Sequence, residues 1–186
     1  MPNWCSNTMT LSHPDPLMME KAAAAWNNGA FLNTLIPVPY ELTLVGGAGV
    51  DIFKITNHEH HREMEKMVRE INKKYFGFED WYDWCIANWG TKWDIGRDSA
   101  LDNDANIDGN SFTVSFDSAW APPTAAYEKL EEMGYIVIAY YFEPGCDFCG
   151  KYAHGVDECC RIEDRTEEVD EIMGISETLA SWEAQS

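Results

Sequence analysis

The most constraining feature of this sequence is the segment from Trp81 to Asp94, WYDWCIANWGTKWD, which contains four of the chain's 8 tryptophans. Each large aromatic ring buries on the order of 150–250 Å² when it packs, so this segment requires an extensive folded core around it. Lys92 is its only basic residue, whereas a nucleic-acid groove combines stacking rings with lysine and arginine. The segment therefore predicts a packed globular protein and argues against a nucleic-acid groove.

Length and composition agree with a folded chain. The 186 residues are 45% hydrophobic, which is enough for one sizeable core or two very small ones. No run approaches the roughly 20 apolar residues that span a bilayer, and the N-terminus MPNWCSNTMT lacks the pattern of a secretory signal. We therefore expect a cytoplasmic protein whose six cysteines form no structural disulfide.

The charge is strongly acidic, since 32 acidic and 13 basic residues give a formal net charge of −19. Such a field repels nucleic acids and anionic membranes, and it either solvates the surface or attracts a basic protein partner. Residues 157–186 concentrate this charge, with ten acidic residues against Arg161 and Arg165. The candidate partner-binding residues in this stretch are Glu163, Asp164, Glu167, Glu168, Asp170 and Glu171.

The first half of the chain predicts a strand, two helices and a long loop. Alternation over Asn7–Leu11 indicates the strand, and a helix follows from Pro16 to the stop at Asn27-Asn28-Gly29. Pro37 and Pro39 predict a long loop with strand ends over residues 31–50. The second helix runs from about His60 to Phe76, with one apolar face formed by Met64, Met67, Val68, Ile71 and Tyr75.

The second half continues with both element types. It predicts a short helix at Glu79–Ala87 and a strand around Thr91–Ile95 within the Trp-rich segment. A strand at 112–116, a helix from Pro122 to Gly134 and an almost continuously apolar strand at Tyr135–Phe142 follow. The last of these strands belongs at the centre of a sheet.

The order strand, helix, strand, strand, helix, strand predicts an α+β fold with a ferredoxin-like antiparallel sheet, helices on one face and the long middle of the chain as an insertion. Residues 1–156 form one domain in this interpretation, and residues 157–186 form an acidic helical tail. Six residues are predicted to lie on adjacent strands of the sheet: Phe112, Val114, Phe116, Ile136, Ile138 and Tyr140.

Five motifs carry a resemblance to a known family: PNWCSNTMTLS, FLNTLIPVP, WYDWCIANWGTKWD, SFDSAWAPP and YYFEPGCDFCG. In this order they resemble the YubB-like family of phage- and plasmid-encoded proteins and cover most of residues 2–150. The resemblance implies a ferredoxin-like C-terminal domain and residence in a bacterial mobile element. It implies no established activity and no catalytic residues. The chain departs from the family in the cysteine-rich region 145–160 and in the acidic tail.

The Trp-rich segment has two interpretations. Core packing is the main one, because rings of this kind more often fill interiors. Alternatively, aromatic and polar side chains line a pocket for a flat ligand such as a nucleotide base. The candidate ligand-binding residues are Trp84, Asn88, Trp89, Trp93, Asp94 and Trp120.

The cysteines near residue 150 also have two interpretations. Cys146 and Cys149 have the spacing of a zinc knuckle, and His154, Cys159 and Cys160 lie close enough in sequence to complete a tetrahedral site. Because one CxxC motif is half a zinc signal, free thiols on a hairpin are the main expectation, with no cofactor. Zinc is the alternative.

No motif predicts catalysis. The run His58-Glu59-His60-His61 differs from the H-E-x-x-H zinc motif and is expected to be a polar helix start, and no nucleophile elbow occurs. The resemblance implies a phage or plasmid protein, and with the acidic charge we expect a non-enzymatic accessory protein that binds a host protein with a basic surface and counters a defence or restriction system. The alternatives are an acidic nucleic-acid mimic, a small-nucleotide binder and a zinc-dependent enzyme. The oligomeric state does not follow from the sequence.

Overall fold

The structure, a computed structural model, describes residues 3–46, 58–97 and 104–184, and for residues 58–61 it describes the backbone only. The elements are β1 (Trp4–Ser12), α1 (Pro16–Asn27), α2 (Phe31–Leu35), α3 (His58–Phe76), α4 (Trp81–Trp89), β2 (Ser111–Ala119), α5 (Thr124–Glu132), β3 (Ile136–Glu143), β4 (Phe148–Ala153), β5 (Val156–Arg161), α6 (Glu167–Met173) and α7 (Ile175–Glu183). Two 3₁₀ turns occur at Tyr40–Leu44 and Ile162–Asp164. This mixture of helices with an antiparallel sheet confirms the predicted α+β class. None of the helices in the described ranges combines the length and apolar character that crossing a bilayer requires.

The five strands form one sheet in the order β2-β1-β3-β4-β5, with every neighbouring pair antiparallel. β3 is central, as predicted. β2 and β3 run parallel to each other, are connected through α5 and have β1 between them, which makes a split β-α-β unit. The prediction that β2 and β3 are adjacent is therefore wrong, because Thr10 of β1 pairs with Thr113 on one side and with Ile138 on the other.

Helices cover both faces of the sheet, whereas the sequence predicted one. Met9 and Leu11 of β1 face a first core that also contains Trp26 of α1 and Leu130 of α5. Tyr140 and Phe142 of β3 face a second core on the opposite side, which is closed by Ile162, Val169 of α6 and Ile175 of α7. A central strand buried on both faces explains why Tyr135–Phe142 reads as a nearly continuous apolar run.

The predicted long loop at 31–50 contains α2 and the 3₁₀ turn Tyr40–Leu44, and its residues 47–50 lie outside the described ranges. Phe31, Leu32 and Leu42 are fully buried in the first core. Short helices therefore form here because burial of these side chains fixes the backbone. The predicted strand at Thr91–Ile95 is also absent, since its side chains bind the backbone of other elements instead of a neighbouring strand.

α3 confirms a predicted helix, but only part of its predicted apolar face turns inward, since Met64 and Val68 are half-buried. Met67, Ile71 and Tyr75, at 61%, 51% and 71% exposure, point outward, while Asn72 is buried. The Asn72 amide donates to the Glu41 carbonyl at 3.3 Å and to the Glu79 carbonyl at 3.1 Å. The protein side of α3 therefore combines a polar contact, which satisfies two loop carbonyls, with Phe76, which packs against the first core. The side chains of His58-Glu59-His60-His61 lie outside the described residues. The expectation that they form a polar helix start, and not a zinc motif, therefore stays a prediction.

The helical tail begins later than predicted. Residues 157–161 belong to β5, which pairs with β4 through a two-residue turn at His154-Gly155. The helical part starts with α6 at Glu167. β5 completes the sheet before the chain crosses to the second core, so the acidic stretch is partly sheet and partly helix.

Candidate functional site: an aromatic cleft and an acidic face

The Trp-rich segment leaves α4 through a tight turn at Gly90. This glycine adopts φ 81°, which strains any other residue, and a Cβ there would be crowded at 3.1 Å from the Thr124 nitrogen. The next residue, Thr91, is fully buried. Its hydroxyl donates to the Ala119 carbonyl at 3.3 Å and accepts from the Ala119 amide at 3.2 Å. Thr91 therefore ties the segment to the end of β2.

Asp94 ends the segment as a structural carboxylate. It accepts backbone N–H bonds from Leu32 at 2.6 Å, from Asn33 at 3.0 Å and from Ile95 at 2.8 Å. Two of these donors belong to the first turn of α2, whose own N-cap residue supplies no side-chain bond. Burial raises the pKa of Asp94, although the three N–H groups favour its charged form. Asp94 is thus the N-terminal cap of α2, supplied from a distant part of the chain.

An open cleft of about 700 Å³ lies between the end of β2 and the residues that follow the Trp-rich segment. Trp4 and Trp93, at 48% and 41% exposure, lie at one side of it, with ring centroids 5.8 Å apart and planes inclined by 32°. One wall is formed by residues 115–119 of β2 and the other by residues 28–29 and 93–97. A cleft of this volume with two half-exposed indoles is the strongest candidate binding site among the described residues.

A second hollow, of about 580 Å³, shares Trp93 and Asp94 with the cleft and is also lined by Trp81 and Trp89. The Lys92 ammonium lies 4.7 Å from the Trp93 ring centroid and 5.4 Å from that of Tyr82. The exposed indole of Trp93 thus already attracts one cation within the chain.

The structure separates the predicted ligand-binding residues. Trp84 and Trp89 are buried in the first core with ring centroids 5.8 Å apart, and the Trp89 indole donates to the Ile36 carbonyl at 3.0 Å. Asn88 accepts from Lys129 at 2.7 Å, and Trp120 is half exposed but is not part of the described cleft wall. Trp93 and Asp94 do line the cleft, so two of the six candidates reach it.

Sequence reasoning did not select the other residues that line the cleft, among them Trp4, Asn28, Arg97, Ser115 and Asp117. Asp117 is exposed and accepts a hydrogen bond from Ser6 at 2.8 Å. Arg97 forms an ion pair with Asp104 at 2.6 Å. Trp4 and Asp117 belong to two of the five family-like motifs. Membership of these motifs was the one sequence signal that could have identified them as cleft residues. Only the pairing of β1 with β2 brings them together.

The cysteine cluster is not gathered around one point. Cys149 and Cys160 are cross-strand partners with sulfur atoms 3.8 Å apart. Cys159 points to the opposite face of β5, and His154 lies in the turn on the order of 15 Å along the hairpin, since a strand rises about 3.3 Å per residue. Cys146 is exposed and accepts from the Asn3 amide at 3.3 Å. Within the described ranges no three potential ligands come together to hold a metal, so the five-residue zinc hypothesis has no geometric support.

Some of the acidic candidates form ion pairs with basic side chains, and others are described by their exposure alone. Glu168 accepts from Lys151 at 2.8 Å and from the Tyr140 hydroxyl at 2.5 Å, and the Arg165 guanidinium lies 2.9 Å from Asp170. Hydrogen bonds from Arg165 and Ser176 lower the pKa of Asp170 to about 2. Glu163 is exposed and pairs with exposed Arg161 at 3.1 Å. Asp164, Glu167 and Glu171 are exposed on the outer side of this region.

Comparison with known proteins identifies no family. No family model matches the chain, and no curated protein matches it. One solved structure shows a distant likeness, a protein api92 from Yersinia pseudotuberculosis of the family DUF1281. It has a TM-score of 0.39 and 12% sequence identity, and the match covers 89% of this chain and 100% of the other.

Proposed function

We propose that this protein is a non-enzymatic accessory protein of a phage or plasmid, which binds a host protein with a basic surface in the bacterial cytoplasm. The five motifs that resemble the YubB-like family support the mobile-element origin. Binding blocks the partner sterically and electrostatically, and a defence or restriction protein is the class of target we favour.

The observation that carries the proposal is the exposure of acidic side chains around α6. Asp164, Glu167 and Glu171 have exposed carboxylates, and Arg165 is engaged with Asp170 and with the Ile162 carbonyl at 2.7 Å. This acidic face, defined by Asp164, Glu167 and Glu171, is held rigidly because Val169 is buried in the second core. Exposed charges on a fixed scaffold accelerate association with an oppositely charged partner.

Capture of a host protein from bacterial lysate by the full chain tests the proposal. We expect the variant Asp164→Asn, Glu167→Gln, Glu171→Gln to retain less of the captured protein and to show a weaker salt dependence than the wild type, because screening acts on exposed charges. The matched control replaces Glu20, Glu128 and Glu132 by Gln. These residues are exposed on α1 and α5, which cover the other face of the sheet, and the control removes the same three charges.

Equal capture by both variants at low and high salt would contradict the acidic-face mechanism.

Competition with duplex DNA distinguishes two forms of the acidic-face mechanism. A partner that is displaced by DNA uses a basic nucleic-acid cleft, so the protein acts as a nucleic-acid mimic. A partner that DNA does not displace is bound at another basic surface.

A further inference from the structure

β2 presents a stretch of backbone whose outward groups have no partner within the described part of the chain. It is an edge strand, paired with β1 alone. His13 donates to the Asn110 carbonyl at 3.1 Å across the start of this pair. In an antiparallel pair, alternate residues direct both backbone groups to the same side. The even-numbered residues of β2 therefore face β1, and the odd-numbered ones face outward.

Both ends of this edge are closed by the chain itself. Ser111 exchanges two backbone hydrogen bonds with Asp108, at 2.8 and 3.1 Å, and Ala119 binds the Thr91 hydroxyl. Between them, Thr113, Ser115 and Asp117 have outward N–H and C=O groups without a protein partner among the described residues. These three residues define the free edge.

Apart from the charge of Asp117, the free edge lacks the sequence features by which proteins usually protect a strand from pairing. β2 contains no proline, lysine or arginine, and its nine residues pair with β1 without a bulge. The opposite edge strand, β5, differs: it is six residues long and carries the charged residues Asp157, Glu158 and Arg161. β2 is thus long, regular and nearly uncharged in a protein of net charge −19.

The aromatic cleft lies beside this edge. Ser115 and Asp117 line it, and residues 93–97 form the wall across from them. Space along a free edge, bounded by a second wall, suits an extended chain, because a strand pairs about 4.8 Å from its neighbour.

The chemistry of the cleft selects a cationic segment. The Asp117 carboxylate is exposed beside Trp4 and Trp93, and Lys92 already lies over the Trp93 ring. Arg97, the cation on the opposite wall, is neutralised by Asp104. An arginine or lysine side chain that enters here gains both a carboxylate and an aromatic face.

We propose that an extended, basic segment of the partner protein adds to β2 as a sixth strand. Its backbone binds the N–H and C=O groups of Thr113, Ser115 and Asp117, and one of its cationic side chains lies against Asp117 and the Trp4–Trp93 pair. The basic character of the segment rests on the proposed function, and the backbone pairing rests on the free edge.

Amide hydrogen exchange of the full chain, followed by NMR, tests strand addition. The probe is a synthetic peptide of about eight residues that alternates arginine with valine. We expect saturating peptide to slow exchange at Thr113, Ser115 and Asp117 by at least about tenfold, while Val114 and Phe116, which already pair with β1, stay slow throughout. The same peptide N-methylated along its backbone lacks backbone N–H donors, and its methyl groups clash with a neighbouring strand, so it cannot pair with β2 and is expected not to protect these amides.

Protection of the three amides in the free protein equal to that of Val114 would overturn the proposal, since the edge would already be paired. So would absence of peptide binding, or binding that leaves the three amides unchanged. A peptide with glutamate in place of arginine is expected to bind at least about tenfold more weakly.

A pair of variants isolates the backbone contribution. Ser115→Pro removes one outward N–H and is tolerated at an edge, whereas Ser115→Ala keeps that N–H. We expect the proline variant to lose at least about tenfold in peptide affinity and the alanine variant to retain it. If the proline variant does not fold, the comparison of normal and N-methylated peptides decides the question. The peptide readout does not depend on host capture, so failure of strand addition and failure of the acidic-face mechanism are distinguishable.

Discussion

At the scale of single residues, side chains of the Trp-rich segment that look alike in sequence have different structural roles. Trp84 and Trp89 fill the core, Thr91 holds the end of β2, and Trp93 is half exposed against Trp4. Asp94, which resembles a ligand-binding acid in sequence, caps a helix. Density of aromatic residues therefore predicts a core correctly but does not tell which ring remains outside it.

Replacement of Asp94 tests its capping role. We expect Asp94→Ala to lower the free energy of unfolding by about 1–3 kcal/mol, because three backbone N–H groups lose their acceptor. Asp94→Asn retains one acceptor oxygen and is expected to lose less. Denaturant unfolding measures both. Unchanged stability in the alanine variant would show that α2 does not need this cap.

Cysteine reactivity is expected to follow burial. Burial raises the pKa of Cys5, Cys85 and Cys149 to about 12, and the neighbouring Cys160 contributes at Cys149. Since the thiolate is the reactive form, these three are expected to resist alkylation at neutral pH. Cys146 and Cys159 are exposed and are expected to react first. Peptide mass spectrometry after a short iodoacetamide pulse measures the order, and early labelling of Cys149 would contradict it.

At the scale of elements, α3 shows how a correct period can place the buried face only partly correctly, since Met64 and Val68 are half-buried but the other predicted apolar residues are exposed. The apolar spacing predicted the helix, but the buried side carries Asn72 and the ion pair of Arg69 with Glu65 and Asp80. The apolar residues Met67, Ile71 and Tyr75 point away from the first core. Hydrophobic periodicity predicts that a helix is amphipathic. Contacts with other elements decide which of its faces is buried.

Two substitutions to alanine compare the faces of helices. We expect Ile71→Ala on α3 to change the free energy of unfolding by less than about 0.5 kcal/mol, because the side chain is half exposed. Leu130→Ala on α5 is expected to cost about 2–5 kcal/mol, since Leu130 is fully buried. Denaturant unfolding of both variants is the measurement. A cost at Ile71 comparable to that at Leu130 would mean that the outer side of α3 is covered in solution.

At the scale of the whole molecule, charge governs which partners approach. The net charge of −19 opposes any polyanion, and Lys92, the basic residue of the Trp-rich segment, is already placed over Trp93. The two proposed contacts, the acidic face on α6 and the free edge of β2, both suit a basic protein.

Exclusion of nucleic acid is the corresponding prediction. We expect no binding of a duplex DNA oligonucleotide at physiological salt, because too few cations exist to release counterions from the phosphates. Fluorescence anisotropy of labelled DNA titrated with the full chain measures it, with a basic DNA-binding protein as the positive control. Saturable, salt-sensitive binding of the duplex would contradict the electrostatic basis of the proposed function.

The sequence by itself determined the α+β class, most of the regular elements and the central position of β3, because local periodicity and breaker residues report on nearby backbone. It also determined the charge, since charge depends on composition alone. Tertiary structure decided the strand neighbours, the two-sided sheet, the exposed face of α3 and the dispersal of the cysteine cluster. It also decided the aromatic cleft, where Trp4, Trp93 and Asp117 meet from three separate segments. These features depend on contacts between residues that can lie more than a hundred positions apart in the chain. Local sequence patterns do not identify such distant partners.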